Sequence, residues 1–326
     1  MKKFFFLGFA FCVFHFAFLF AVIGEPFEEG VKKPIPADVS PWFTGPIITP
    51  SAYVVPYGFV NLEPYIYTTI TKSAYDHHWK SHRVPTFVSI NPLLVAQIGV
   101  SKRVQFSFTP QFYYNKTKGK ESIRFGDLPL QFAFQCYFDT PDTSWPAVKF
   151  FIQETCPTGN YQKLDPKKFK TDATGQGSFA TFTGFTFGKK YHFGGWHWLN
   201  TRLQLGTTYS APVHVRSFNA YGGGEGTVGK VYPGTQFSAL LGLEYCLTRN
   251  WVLALDIDQQ YSRKDRFKGK SHSKVGDPLS EQLSLAPAIE YNFNAKYGLL
   301  GGAWFTVLGR NSSDFLSYVI AFNYYN

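Results

Sequence analysis

Along most of this chain hydrophobic and polar residues alternate one by one. From Gln282 to Phe293, the residues Leu283, Leu285, Pro287, Ile289, Tyr291 and Phe293 share one face, and Gln282, Ser284, Ala286, Ala288, Glu290 and Asn292 share the other. A period of two belongs to a β-strand whose two sides meet unlike surroundings. The segment 250–262 repeats it, with Trp251, Leu253, Leu255 and Ile257 opposite Ala254, Asp256 and Asp258. Twelve such segments run at 58–70, 86–100, 103–115, 126–138, 146–156, 176–188, 197–209, 234–247, 250–262, 280–294, 297–309 and 314–325. Each has the roughly nine to eleven residues that a tilted strand needs to cross a bilayer.

Alternation alone also suits a soluble β-sandwich, so the connections decide. Long ones at 71–85, 116–125, 157–175, 210–233 and 263–279 alternate with short ones at 101–102, 139–145, 189–196, 248–249 and 295–296. Outer-membrane barrels join their strands in this way, with short periplasmic turns and longer extracellular loops. The expected fold is all-β, a transmembrane antiparallel up-and-down β-barrel of about twelve strands over 58–326. The connection at 310–313 is short although it should face outside, and it is the one irregularity.

The remaining segments fit a bacterial outer membrane. Residues 1–24 open with Met1-Lys2-Lys3 and an apolar run from Phe4 to Ile23, the pattern of a secretory signal peptide. Residues 25–57 carry seven prolines and no lasting periodicity, and read as a periplasmic arm or plug that folds back into the barrel mouth. Aromatic residues make up 19% of the chain, as barrels with aromatic girdles require. Mean hydropathy is −0.14, which argues against a helical membrane protein. Beyond Cys12 in the apolar run, Cys136, Cys156 and Cys246 are too few and too widely spaced for a disulfide framework, although one pair among them stays open.

Charge changes the picture on one side only. The five long loops hold 19 of the 32 Lys and Arg but seven Asp and Glu. The extracellular rim is therefore basic, and Lys118, Lys120, Lys167, Lys168, Arg263, Lys264, Arg266, Lys268 and Lys270 are its candidate residues. Such a surface attracts phosphate-bearing partners, and on this membrane the nearest is lipopolysaccharide. Nucleic acid is the weaker explanation of the net charge of +10, because no aromatic–basic binding module accompanies it.

Gly126-Asp127-Leu128, Pro157-Thr158-Gly159 and Gly175-Gln176-Gly177-Ser178 occur in that order. In this the chain resembles the outer-membrane transporters encoded beside phenol meta-pathway degradation genes, over about 58–260. The resemblance implies a β-barrel and uptake of small organic molecules, and it does not carry phenol over as the substrate. Read locally, the motifs punctuate strands: Asp bonds its own backbone, Pro ends a ladder, and Gly allows positive φ.

If the apolar faces meet lipid, the opposite faces line a lumen. Their charged members are Glu63, Asp127, Glu244, Asp256, Asp258 and Glu290 against Lys149 and Arg202. Glu244, Asp256, Asp258 and Glu290 lie on three consecutive strands and would form an acidic wall favouring cations or polar neutrals. Twelve strands enclose a lumen between the filled eight-stranded and the open sixteen-stranded case. The competing arrangement is a polar plug of salt bridges in which Lys149 and Arg202 face acids.

No catalytic residue, metal or cofactor is expected. His77, His78 and His82 form a loop trio that suggests zinc or copper, but exposed loop histidines are ordinarily solvated. His192 and His197 sit among aromatics and read as an interface belt. A barrel phospholipase would need an outward Ser–His pair at the outer rim, and neither that nor G-x-S-x-G is present. The Gly222–Gly226 run lacks the helix and lysine of a phosphate loop. The expectation is a passive outer-membrane channel for small polar or aromatic solutes. The alternative is a non-conducting surface barrel whose basic loops bind lipopolysaccharide or host anions.

Overall fold

A computed structural model describes residues 42–139 and 144–326. The expected signal peptide, 1–24, and the first part of the arm, 25–41, lie outside the described residues. In chain order the strands begin with β1 (Val60–Tyr75), β2 (Ser81–Gly99), β3 (Val104–Phe108), β4 (Phe112–Thr117), β5 (Lys120–Phe125) and β6 (Leu128–Tyr137). Then come β7 (Ala147–Cys156), β8 (Ala180–His192), β9 (Trp198–Ser210), β10 (Val213–Arg216), β11 (Val228–Tyr232) and β12 (Gln236–Cys246). The last are β13 (Trp251–Ser262), β14 (Arg266–Lys270), β15 (Ser280–Asn292), β16 (Tyr297–Arg310) and β17 (Ser313–Tyr325).

Fourteen of these form one antiparallel sheet that closes where β1 pairs with β17, Leu62 opposite Tyr324 and Thr71 opposite Phe315. Closure leaves no edge with unpaired backbone, which is what allows a sheet to stand in hydrocarbon. Counting β3 with β4 and β5 with β6 as single crossings gives a twelve-stranded barrel. Pro110 separates β3 from β4 because it has no N–H to donate to the ladder, yet its carbonyl still accepts from the N–H of Leu94.

The expected alternation is present in space. Ile66, Phe132, Ile152, Leu253, Ile289 and Ile320 stand exposed on the outer wall. Such an exposed apolar band is a solvent-facing fault in a soluble protein and the lipid contact of a membrane barrel. At the end where Val60 meets Asn326, Trp251, Tyr291 and Phe293 pack edge to face, and Tyr297 stacks on Phe322 and Tyr324. His192 stacks on Trp198 at 4.2 Å and His197 on Tyr245 at 6.0 Å. Among the described residues Cys136, Cys156 and Cys246 are all free, so no pair forms among them.

Four of the expected long loops need correction. Residues 71–85 and 116–125 are not long loops: β1 and β2 run on to a five-residue turn, and β4 and β5 to a two-residue one at Lys118-Gly119. Residues 210–233 and 263–279 contain β10, β11 and β14, which form a separate three-stranded sheet outside the bilayer. These strands still alternate, but at four or five residues each they are too short to stand out as separate strands in the sequence. The 310–313 connection is short as expected, a turn with Asn311 at φ 48.

Candidate functional site: the barrel lumen

The register places the expected inward residues on one surface. Lys149 pairs with Thr186, Gly188 with Arg202, Glu244 with Ala254, and Val252 with Glu290. Glu244, Asp256 and Glu290 are wholly buried, and Asp258, Lys149 and Arg202 nearly so. The adjacency of β12, β13 and β15 brings the four acids together as the sequence pattern implies.

They are not free, however. Arg202 pairs with Glu244 at 2.7 Å, and Asn200 donates to the same carboxylate at 2.6 Å. Asp258 accepts from Gln260 at 2.6 Å and from Ser284 at 3.0 Å, and Trp304 donates to the Ser284 hydroxyl. Glu63 accepts from Asn61 and Asn323. Asp256 and Glu290 are taken by the described end of the arm: Ile48 and Thr49 donate their N–H groups to Asp256 at 3.0 Å each, the Thr49 hydroxyl adds a 2.6 Å bond, and the Thr44 N–H meets Glu290 at 2.8 Å.

Residues 42–57 thus thread the lumen. The chain has no sheet partner there, and Pro46, Pro50 and Pro56 have no N–H to place. The remaining backbone groups find side chains instead, as buried amides must. Val54 N–H donates to Gln135 and Val55 N–H to Gln105, while Gln135 donates back to the Ala52 carbonyl. Tyr67 donates to the Ile47 carbonyl, and Ile47 packs against Ala286, Ala288, Leu300 and Val319. Two wall glycines make room by lacking a side chain. A Cβ at Gly242 would stand 2.8 Å from the Thr49 Cβ and 3.0 Å from Pro46, and one at Gly298 would overlap the Thr44 hydroxyl. At the periplasmic end Trp42 lies 4.2 Å below the guanidinium of Arg249.

Asp127 does something other than line this wall. Its two carboxylate oxygens accept the N–H groups of Gly159 and Gln176 at 2.8 Å each, and the Thr158 hydroxyl donates to the Gly126 carbonyl at 2.6 Å. The three motifs Gly126-Asp127-Leu128, Pro157-Thr158-Gly159 and Gly175-Gln176 are therefore one contact. Beside it, at the extracellular end, lies a cavity of about 410 Å³ bordered by Phe87, Gln111, Tyr113, Asn115 and Gln176.

Lys118 tops the β4–β5 hairpin at φ 47, 4.7 Å from the Phe169 ring, with Lys120 after it. Lys167 and Lys168 end a turn capped by Asp165. Arg263 and Lys264 lead into β14, which carries Arg266, Lys268 and Lys270. The extracellular sheet has its own core of Val213, Val215, Tyr221 and Val231, and burial pushes the Tyr221 hydroxyl well above its ordinary pKa. The His77 and His78 rings touch at 3.7 Å between centres, tilted by 43°, while His82 meets Asp76 at 2.8 Å. Among the described residues no three His, Cys, Asp or Glu side chains are grouped to hold a metal. Asp76 instead caps the turn: the Lys80 N–H and His82 hold its carboxyl well below the usual range.

A closed barrel of twelve crossings, an apolar outer belt, aromatic rims and a polar interior define a transmembrane β-barrel of the bacterial outer membrane. Among solved structures the chain is similar to the crystal structure of an outer membrane channel from Pseudomonas putida F1, with a TM-score of 0.67 and 13% identity over 90% of this chain and 100% of that one. The transport unit of the autotransporter AIDA-I from Escherichia coli gives 0.46 at 12% identity, over 95% and 97% of the two chains. The NanC porin gives 0.40 at 10%, over 79% and 98%. No family model and no curated protein matches the sequence.

Proposed function

We propose that this chain is an outer-membrane channel for diffusion of small polar or aromatic solutes, with residues 42–57 as a stopper in its periplasmic half. The observation that carries this reading is the inward face itself. Glu63, Lys149, Arg202, Glu244, Asp256, Asp258 and Glu290 gather inside the barrel, and most are buried. Burying charge is costly, and a barrel serving only as an anchor would be filled more cheaply by apolar side chains. A wall of carboxylates, amides and one guanidinium suits instead a path that is wet whenever the stopper leaves. The extracellular cavity supports the solute class: Phe87 and Tyr113 offer ring faces, and Gln111, Asn115 and Gln176 offer hydrogen bonds. This also keeps the affinity with the phenol meta-pathway transporters at the level of small organic molecules. Residues 1–24 act as the secretory signal in this reading, and the protein is not an enzyme.

Planar-bilayer conductance of the refolded protein, with and without residues 25–57, tests it. Silence from the full chain and conductance from the shortened one is the expected pair of results. Silence from both, in barrels that fold, overturns the channel and leaves the non-conducting surface barrel.

A further inference from the structure

The strands β10, β11 and β14 prolong β9, β12 and β13 beyond the bilayer after breaks of two or three residues. One face of this small sheet is apolar: Val213, Val215, Val231 and Phe267 pack with Tyr161 and Ala220. Ala220 also borders the extracellular cavity, so this face looks toward the lumen. The opposite face looks away from it and is cationic. The register sets His214 opposite Lys230 and Lys230 opposite Lys268, with Arg216 and Lys270 in the row beside them and Arg266 opposite Tyr232. The three strands contain no carboxylate. Among the described residues none of these side chains takes part in an ion pair.

Like charges directly opposite one another weaken a sheet, so such a row is stable at little cost only with an anion over it. The Tyr232 ring lies under Lys230, Arg266 and Lys268 at 5.7–5.8 Å, which gathers these cations around one point. Immediately below, on the lipid-facing wall, Phe237 and Tyr261 pair at 6.1 Å between ring centres, and Arg263 stands 5.9 Å over Phe237. Tyr209 on the neighbouring strand is also exposed on that wall. Rising along one side of the barrel, the surface changes from aliphatic to aromatic to cationic. That sequence matches a membrane glycolipid lying upright: acyl chains, then the interface, then phosphates.

We propose that the outward face of β10, β11 and β14, with Arg263 and the Phe237–Tyr261 pair below it, is a docking site for the phosphorylated lipid anchor of lipopolysaccharide. The phosphates sit among Lys230, Arg266 and Lys268, and the acyl chains lie on Phe237 and Tyr261. This is independent of whether the lumen conducts.

The test titrates the purified full chain in detergent with bisphosphorylated lipid A, with the same lipid A after phosphatase treatment, and with soluble polyphosphate, and reads bound lipid by native mass spectrometry. Binding of intact lipid A should exceed that of the dephosphorylated form by tenfold or more, and should weaken as salt rises. Substitution Lys230→Gln, Arg266→Gln, Lys268→Gln should remove that advantage, while Lys118→Gln, Lys120→Gln on the other side of the rim should not. Heat-modifiable gel mobility reports that each barrel is folded. Equal binding of the two lipids by the unaltered protein overturns the proposal with no variant needed. Polyphosphate binding as tight as lipid A also overturns it, because the surface would then serve a soluble polyanion.

Discussion

Substituting Asp256→Asn should loosen the stopper without disturbing the wall. The carboxylate is wholly buried and accepts three hydrogen bonds, from the N–H groups of Ile48 and Thr49 and from the Thr49 hydroxyl. Asparagine keeps the shape but has one acceptor oxygen. If that oxygen stays with Thr49, the new amide NH₂ faces the Ile48 N–H, donor against donor. A hydrogen bond to a charged group contributes roughly 1.5–3 kcal/mol, and the two bonds that survive fall to the neutral range of about 0.5–1.5 kcal/mol. Removing a buried charge offsets part of this loss. A net weakening of about 2–3 kcal/mol remains, which is about thirty- to 150-fold in the population of released segment. The assay is maleimide labelling of a Ser51→Cys reporter in a background with Cys136, Cys156 and Cys246 replaced by serine, run beside bilayer conductance. Faster labelling with more frequent openings is expected. Unchanged labelling in a folded barrel would refute the role of Asp256 as the holding group. Faster labelling without conductance would refute the stopper and leave the docking energetics intact.

Gly242→Val should give the same conductance gain by steric means, because its first side-chain atom already meets Thr49 and Pro46, and no charge changes; a silent channel with the segment still protected counts against this seating. Asp127→Ala leaves the Gly159 and Gln176 N–H groups without their acceptor, a local loss of about 1–3 kcal/mol per group; protease cleavage within 160–175 should quicken while heat-modifiable mobility of the barrel is kept. Asp76 has a lowered pKa, so the turn it caps is fully supported above the ordinary carboxylate range and loses that support only as pH falls through the lowered value. A carboxyl ¹³C shift that titrates at the ordinary position would show that the Lys80 and His82 contacts do not hold in solution.

The barrel was legible because lipid imposes a local rule. Across the bilayer, as from Gln282 to Asn292, each residue faces either hydrocarbon or the interior, and that choice is written residue by residue as alternation. Cys246, Val252 and Leu240 follow the same parity as their polar neighbours or opponents, so the face of each position is readable even where the residue is not diagnostic. The number of crossings follows from the same rule, but the rule misplaces Asp127, which holds the Gly159 and Gln176 N–H groups instead of lining the wall. Residues 42–57 obey no such period. Their proline content suggests an arm at the barrel mouth, and it does not say which side chains of the wall receive it.

What the sequence by itself determined is what the immediate surroundings of each residue govern: the closed antiparallel barrel, its strand faces and its lipid-facing belt. What only the tertiary structure decided depends on groups far apart in the chain. Asp256 meets Thr49 across 207 positions, and Thr44 meets Glu290 across 246. Asp127 joins motifs that local reading leaves as separate punctuation, and β10, β11 and β14 assemble a cationic face from two connections. A carboxylate in the sequence has a charge but no partner; closing the sheet brings the donors to it, and closure is a property of the whole barrel.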